Sequence, residues 1–278
     1  MNRKMLGWGV ALAAYGFFIV ASRAIGIVTP PQAMPGSVVL PPTLQTVLYG
    51  GDPWLAADVE AARVLVTGGP VEGIAPDYFE RLQLAVALLN PCHEDNYYVA
   101  NALLTWGGTV DSALAILRGA TDCRFWDEYP PFFLGYNLDF FKGAHRQAKQ
   151  ALFEAADRAS NNAAVFRRIG ILYEAETYPD LHAAQKYLVA ERDEARDTRL
   201  KQLLDQRIGR LAGLIVLQDA QDAFERRFRR LLQAPQELIT SGMLKEFPRD
   251  PVRLGYVFEN GRFALKELKI RRPEGVDK

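Results

Sequence analysis

The side chains best suited to chemistry in this sequence are four consecutive residues, Cys92, His93, Glu94 and Asp95. A thiol beside an imidazole can act as a nucleophile, and the same side chains with a carboxylate can bind a metal ion. Acidic residues also commonly begin a helix, where they face the positive end of the helix dipole. We therefore expect a structural role, with a thiol- or metal-dependent envelope enzyme centred on Cys92 and His93 as the alternative.

The chain contains two cysteines, Cys92 and Cys123, and three histidines. These are too few for a four-thiolate zinc site or a disulfide-built miniature domain. We leave open whether the two cysteines form a disulfide in an oxidising compartment or remain free thiols. The sequence has no glycine-rich phosphate loop, no H-E-x-x-H, no G-x-S-x-G and no paired C-x-x-C. We therefore predict that the protein is not an enzyme and uses no metal or cofactor.

The elements that position these residues recur about every 35 residues. The clearest copy comprises Phe166, Ile169, Gly170 and Tyr173, followed by Ala183, Tyr187 and Ala190. Upstream, the same order gives Leu134, Gly135, Ala148, Leu152 and Ala155, and before them Tyr97, Ala100, Leu104, Ala113, Leu117 and Ala120. Intervals of three and four residues place each set on one face of a helix. The pattern predicts pairs of antiparallel helices, with turns at Gly108 and Gly143.

This pattern resembles the tetratricopeptide repeat, in which W-x2-L-G-x2-Y on a first helix precedes A-x3-F-x2-A on a second. The resemblance covers residues 51–235, with recognisable copies at about 94–128, 129–163 and 164–198. It implies an all-α, right-handed solenoid whose first helices line a concave surface. In this family such a surface serves chiefly to bind proteins or peptides.

From that resemblance, the concave surface receives aromatic and charged side chains from three successive first helices. They are Tyr98, Trp106, Phe132, Phe133, Tyr136, Asp139, Phe140, Arg167 and Arg168. Eight of the seventeen residues from Phe125 to Phe141 are aromatic, against 11% in the whole chain, which is more than joining two helices requires. Aromatic residues beside arginines are typical of protein-binding hot spots. We expect a partner to bind here; the alternative is that most of these rings form the core of the solenoid.

The amino terminus predicts a membrane anchor. Residues 5–22 contain no charge, and eighteen residues of helix span about 27 Å, close to the thickness of the bilayer hydrocarbon. We expect residues 1–28 to form an uncleaved, single-pass anchor, and a cleaved signal peptide stays open as the alternative. Arg3 and Lys4 favour a cytoplasmic amino terminus and export of the rest.

Five prolines between residues 29 and 42 favour extended backbone, so we expect residues 29–50 to form a stiff linker. The alternative is an ordered loop that lies on the folded domain. After the repeats, an apolar stripe from Leu200 to Leu231 predicts a capping helix.

The tail, residues 236–278, contains Asn260-Gly261 between alternating segments, which predicts a β-hairpin. Its register pairs Phe258 with Phe263 and Tyr256 with Leu265, and this aromatic face must dock on the helices or on a partner. Just before it, Pro248-Arg-Asp-Pro251 with Gly255-Tyr256 is similar to the ending of type II secretion pseudopilins. That similarity favours a bacterial envelope protein.

Charge is uneven although 33 basic and 33 acidic side chains cancel. Residues 50–140 carry 13 acidic and 4 basic side chains, whereas residues 226–278 carry 13 basic and 7 acidic ones. Opposite fields of this kind could orient partners or pair two molecules head to tail. The four arginines in residues 226–230 suit a solvated helix end, anionic lipid or an acidic partner, and nucleic acid is not expected for an exported domain.

The sequence thus predicts a scaffold or adaptor in the inner membrane, with its carboxy-terminal domain in the periplasm. It would bind a protein or peptide of an envelope assembly such as a secretion, pilus or surface-polymer system. A self-assembling rod is a further alternative.

Overall fold

The computed structural model describes residues 13–17, 20, 38–67 and 77–266, of which 13–17 and 20 are helical. The predicted anchor lies almost entirely outside the described residues, as does the linker up to residue 37. Within the described ranges, no helix combines the length and apolar character needed to cross a bilayer.

The described chain is helical apart from one two-stranded antiparallel sheet. In order, the elements are α1 (Pro42–Leu48), α2 (Pro53–Thr67), α3 (Asp77–Leu89), α4 (Glu94–Leu103), α5 (Val110–Cys123), α6 (Tyr129–Lys142), α7 (His145–Arg158), α8 (Ala163–Ala175), α9 (Leu181–Glu194), α10 (Thr198–Phe228), α11 (Glu237–Thr240), β1 (Tyr256–Glu259) and β2 (Arg262–Leu265). The all-α fold class is therefore confirmed.

The carboxy-terminal part of the predicted linker, residues 29–50, is not extended, so its boundary at residue 50 was wrong. α1 begins there because Pro42 occupies the first turn of a helix, where a missing N–H costs nothing. Gln45 on α1 is completely buried, and its side-chain amide donates to the Leu40 carbonyl at 2.7 Å. The end of the predicted linker therefore packs on the helical domain and does not hold the domain at a distance.

From α2 to α10, each helix packs against the next along the chain, and most other contacts join helices two apart. The predicted inner faces of α5 (Ala113, Leu117, Ala120) and α7 (Ala148, Leu152, Ala155) are wholly buried. Gly135 on α6 allows close approach to α7, because a Cβ there would lie 2.7 Å from Leu152 Cγ. The turn glycines Gly108 and Gly143 have φ of 96° and 61°, as the predicted turns require.

The third copy departs from the expected packing. A Cβ on Gly170 would lie 3.3 Å from Lys149 Cα and from the Phe153 ring, so this glycine faces α7, the preceding helix, instead of α9. The buried residues of α9 are Ala184 and Leu188, whereas Ala190 is exposed. The predicted face Ala183, Tyr187 and Ala190 was therefore off by one residue, because α9 turns its apolar side chains toward α10.

Two large buried clusters follow from this arrangement, beside smaller ones between α2 and α3 and between α7 and α8. Of the large clusters, one lies among α4, α5, α6 and α7, and the other joins α8, α9, α10 and the hairpin. α10 begins at Asp197, whose carboxylate accepts from the Leu200 N–H at 3.0 Å, and ends where Arg229 adopts φ of 50°. The predicted stripe was wrong at its end, because the chain turns there and leaves Phe228 and Leu231 exposed.

The tail docks on α10 as predicted. β1 and β2 pair in the expected register, Phe258 with Phe263 and Tyr256 with Leu265, and Phe263 is buried. In the Pro248–Pro251 segment, Asp250 pairs with Arg210 at 3.1 Å, and the two side chains are 2% and 7% exposed. The Tyr256 hydroxyl donates to the Arg210 carbonyl at 3.1 Å. The segment from Pro248 to Tyr256 therefore closes the tail onto α10.

Candidate partner-binding face

Cys92 and Cys123 are joined by a disulfide whose Cα atoms lie 5.3 Å apart, so it ties the start of α4 to the end of α5. Both sulfurs are therefore consumed, and neither is a thiolate nucleophile in this form. His93 is the N-cap of α4, where Nδ1 accepts from the Asn96 N–H at 3.3 Å, and Nε2 lies 3.2 Å from Asp58 of α2. The described residues contain no group of three or more histidine, cysteine or carboxylate side chains placed to hold a metal ion.

Beside the disulfide, a polar network fixes the junction between α5 and α6. The Arg124 Nε donates to Asp127 at 2.8 Å, its Nη1 donates to the Cys92 carbonyl at 3.1 Å, and its Nη2 pairs with Glu94 at 2.8 Å. Asp127 also accepts from the Tyr97 hydroxyl at 2.8 Å. Burial opposes ionisation of Asp127, but these donors outweigh it and hold the pKa of the carboxyl below its ordinary value.

This junction supports a surface that we call the aromatic face. It comprises seven side chains, Tyr98, Trp106, Tyr129, Phe132, Phe133, Tyr136 and Phe140. The buried residues of α6 (Pro130, Pro131, Leu134, Gly135, Asn137, Leu138) repeat at helical spacing, so the aromatic residues of α6 lie on the other side. None of the seven is wholly buried, and Trp106 and Tyr129 are 39% and 42% exposed.

The rings of the aromatic face form two groups. Near the start of α6, Tyr98 meets Phe133 edge-on at 5.5 Å between centroids, and Tyr129 lies 6.1 Å from Tyr98. Near its end, Tyr136 stacks on Phe140 at 5.7 Å, and Phe140 lies 5.6 Å from Trp106. Trp106 follows α4 in the turn to α5, so it reaches α6 from a loop. The first group thus joins a ring of α4 to rings of α6, and the second joins two rings of α6 to the turn that follows α4.

Two of the predicted charged residues are already paired. Asp139 lies 2.7 Å from His145 Nδ1, and Arg167 pairs with Asp157 of α7 at 2.7 Å. Tyr173 lies close by on α8; burial and the charges of Asp139 and Tyr136 raise the pKa of its hydroxyl well above the ordinary value. Arg167 is therefore paired with the helix next to it, and its predicted contact with a partner stays a prediction.

Arg168 is different, because its half-buried side chain has no hydrogen bond or ion pair within the described part of the chain. Its Nε is buried without an acceptor, and burial lowers the pKa of the guanidinium from its ordinary value. A desolvated cation without a counter-ion is costly, and an acceptor group on a ligand would relieve that cost. Among the predicted charged residues, Arg168 therefore has the strongest reason to contact a ligand.

Sequence analysis missed a polar centre that joins three helices. Lys149 of α7 pairs with Glu174 of α8 at 2.5 Å and with Glu191 at 3.0 Å, and its ammonium donates to the Tyr187 hydroxyl of α9 at 2.9 Å. Burial would lower the pKa of Lys149, but the two carboxylates outweigh burial and raise it. Lys149 lies 25 to 42 positions before its three partners, so no local pattern marks the centre. Glu174 accepts from both Lys149 and Tyr187, so it lies at the middle of this centre.

A groove of about 1040 Å³ between the α8–α9 turn, α10 and the hairpin was also missed. Its floor is apolar, and its rim carries both signs of charge; the lining includes Asp180, Ala184, Leu188, Arg207, Leu211, Leu214 and Phe263. The walls come from separate segments that only the tertiary fold brings together. Such a groove suits an extended peptide or a small amphipathic molecule.

Comparisons of this chain with protein-family models, with curated proteins and with solved structures found no match. The resemblance to the tetratricopeptide repeat therefore rests on the motif residues and on the helix spacing alone.

Proposed function

We propose that the protein is a membrane-anchored adaptor of the bacterial cell envelope that binds a partner protein on its aromatic face. In this proposal, residues 1–28 hold it in the inner membrane, and a tetratricopeptide-like, right-handed solenoid lies in the periplasm with the tail. The observation that carries the proposal is the row of rings on α4 and α6, each left partly exposed although it borders a well-packed core.

The helix contacts support the solenoid. Contacts between neighbouring helices and helices two apart are the pattern of a stacked repeat, in which each unit buries its apolar face against the next. The close approach at Gly135 and the buried alanines of α5 and α7 are the small-residue contacts of the repeat motif. The copy that contains Gly170 departs from the motif, and it lies next to α10, the proposed capping helix. Terminal repeats are commonly atypical in this way.

The disulfide supports export. Disulfides persist in oxidising compartments and are rare in the cytosol of mesophiles. Cys92 lies two residues before α4 and Cys123 ends α5, so their bond stabilises the helix pair that presents Tyr98. A periplasmic location, an amino-terminal anchor and a binding surface together fit an adaptor of a secretion, pilus or surface-polymer assembly.

Binding would work by desolvation. Aromatic side chains lose little conformational entropy when they are covered, and those already packed on one side lose still less. Arg168 supplies an unpaired donor on α8, and it would donate to a carboxylate or carbonyl oxygen of the partner. A segment lying across α4, α6 and α8 would meet both features.

The test is capture of envelope proteins from native membranes by the full chain and by Tyr136→Ala/Phe140→Ala. The two rings stack on each other, and Phe140 also contacts Trp106 and Phe141; neither ring is part of a buried cluster, so their loss leaves the core side chains in place. We expect the variant to lose the partner that the wild type captures. The matched control, Leu65→Ala/Leu88→Ala, removes two exposed apolar side chains from α2 and α3. Equal capture by the wild type and the folded ring variant would refute the proposal.

A further inference from the structure

The end of α10 presents arginines that the aromatic face does not use. Residues 226–236 contain four arginines and no acidic residue. Arg226, Arg227 and Arg229 are exposed, and no hydrogen bond or ion pair engages their side chains within the described ranges. Arg230 is the exception, because it pairs with Glu237 at 2.6 Å and lies over the Phe224 ring.

The carboxylates around these arginines already have partners. Glu225 accepts from the Gln221 side-chain amide at 2.8 Å and from the Leu232 N–H at 3.3 Å. Asp222 pairs with Arg262 of β2 at 3.1 Å. Both donors to Glu225 are neutral, so its negative charge remains, but one carboxylate does not balance Arg226, Arg227 and Arg229, and the end of α10 keeps a net positive charge.

Two apolar side chains accompany the arginines. Phe228 is 42% exposed and Leu231 is 70% exposed, whereas Phe224 and Leu232 on either side are buried. The left-handed backbone at Arg229 ends the helix and leaves both side chains outside the core. The Arg227 guanidinium lies over the Phe228 ring, 5.6 Å from its centroid, so charge and apolar surface are presented together.

We propose that this arginine tip (Arg226, Arg227, Phe228, Arg229 and Leu231) binds the anionic lipid surface of the bilayer. Neither apolar side chain lines the groove beside the hairpin, so the tip is a surface separate from that groove. A bilayer meets both features, because its headgroups attract arginines while Phe and Leu enter the headgroup layer. The inference rests on the proposed function only in that the anchor keeps the domain beside a membrane.

Each arginine at an anionic lipid surface strengthens binding by about five-fold, so loss of three weakens the tip contact by on the order of a hundred-fold. The test places the full chain in nanodiscs of phosphatidylcholine, alone or with phosphatidylglycerol. Hydrogen–deuterium exchange is then measured across residues 226–233. We expect exchange several-fold slower in the anionic discs, and a return to the neutral-disc rate at high salt. The same exchange in both lipids would overturn the proposal.

The variant Arg226→Gln/Arg227→Gln/Arg229→Gln should lose this protection. Its matched control, Arg118→Gln/Arg196→Gln/Arg249→Gln, removes equal charge from exposed positions elsewhere and should keep it. Loss in both variants would show a general charge effect and refute a local site. Protection that appears in neutral discs and grows with protein concentration would assign the tip to a second copy of the chain, and so would also refute it.

Failure of the anchor is distinguishable from failure of the tip. A chain that is not retained in neutral discs refutes the proposed anchor. In that case, exchange across residues 226–233 is measured on vesicles with and without phosphatidylglycerol. Slower exchange on the anionic vesicles would support the tip proposal, and equal exchange on both would refute it.

Discussion

The ring of Phe132 on α6 stacks on the ring of Phe166 on α8, with centroids 4.8 Å apart and planes inclined by 26°. Phe166 is buried with Ala155 and Ala156 of α7, so Phe132 packs against a core. Tyr136 and Phe140, by contrast, stack on each other at the surface of α6. The aromatic face therefore contains one ring that holds two helix pairs together and others that are available to a partner.

This difference gives a first prediction. Phe132→Ala should lower the free energy of unfolding by about 2 kcal/mol, since it removes a half-buried ring from a helix interface. Tyr136→Ala should lower it by less than about 1 kcal/mol. Urea unfolding of the two variants followed by circular dichroism makes the comparison. Equal losses would contradict the division of the face into supporting and available rings.

The second prediction concerns the disulfide. Cys92→Ser/Cys123→Ser should lower the free energy of unfolding by about 3 kcal/mol, because the bond closes a loop with a sequence separation of 31. Reduction of the wild type should produce the same shift, and reductant should leave the variant unaffected. Unfolding midpoints that do not respond to reductant in the wild type would show that the two thiols are not bonded.

The third prediction uses two glycines of α10. A Cβ on Gly213 would lie 2.0 Å from the Tyr256 hydroxyl, so Gly213→Ala should displace the hairpin and speed hydrogen exchange in β1 and β2. Gly209→Ala is the control, because its Cβ would lie at an ordinary 3.4 Å from Pro251. It should stabilise the helix by up to about 1 kcal/mol. Unchanged hairpin exchange in Gly213→Ala would contradict the docking of the tail on α10.

The fourth prediction concerns pH. Burial alone would raise the pKa of Asp250, but the N–H groups of Val252 and Gly255 and the Arg210 guanidinium outweigh it, so the native pKa lies below its ordinary value. The stabilisation is therefore complete above the unfolded pKa of about 4 and is lost as the pH falls through the native pKa.

Asp250→Asn should accordingly cost about 3 kcal/mol at neutral pH, since it leaves Arg210 buried without its counter-ion. It should also lose less stability than the wild type as the medium is acidified. Asp222→Asn, which breaks an exposed pair with Arg262, should cost under about 1 kcal/mol. Thermal unfolding across this pH range measures all three proteins, and parallel pH curves for wild type and Asp250→Asn would rule out the assigned role.

Much of the fold could be predicted because its signals are local. The helical spacing of Ala113, Leu117 and Ala120 determines which face is buried, and Asn260-Gly261 fixes the hairpin register by its backbone preference alone. The anchor, the cellular location and the partner stay predictions, because they depend on chain and molecules outside the described structure.

What could not be predicted depends on contacts between distant segments. The shift of the buried face on α9 follows from the position of α10, because Leu181, Ala184 and Leu188 have helical spacing as good as that of the predicted face. Arg167 pairs with Asp157 of the neighbouring helix, while Arg168 beside it stays unpaired. Adjacent arginines look alike in sequence, and only the neighbouring helices distinguish them.

Site-specific crosslinking tests the binding surface most directly. A photoreactive residue replaces Tyr136 on the aromatic face or, as the control, the exposed Gln150 on α7, in full-length protein expressed in native membranes. We predict a crosslink to one envelope protein from position 136, its loss when Phe140→Ala is added, and none from position 150. Equal crosslinking from both positions, or none from position 136 in folded, membrane-associated protein, would contradict the account.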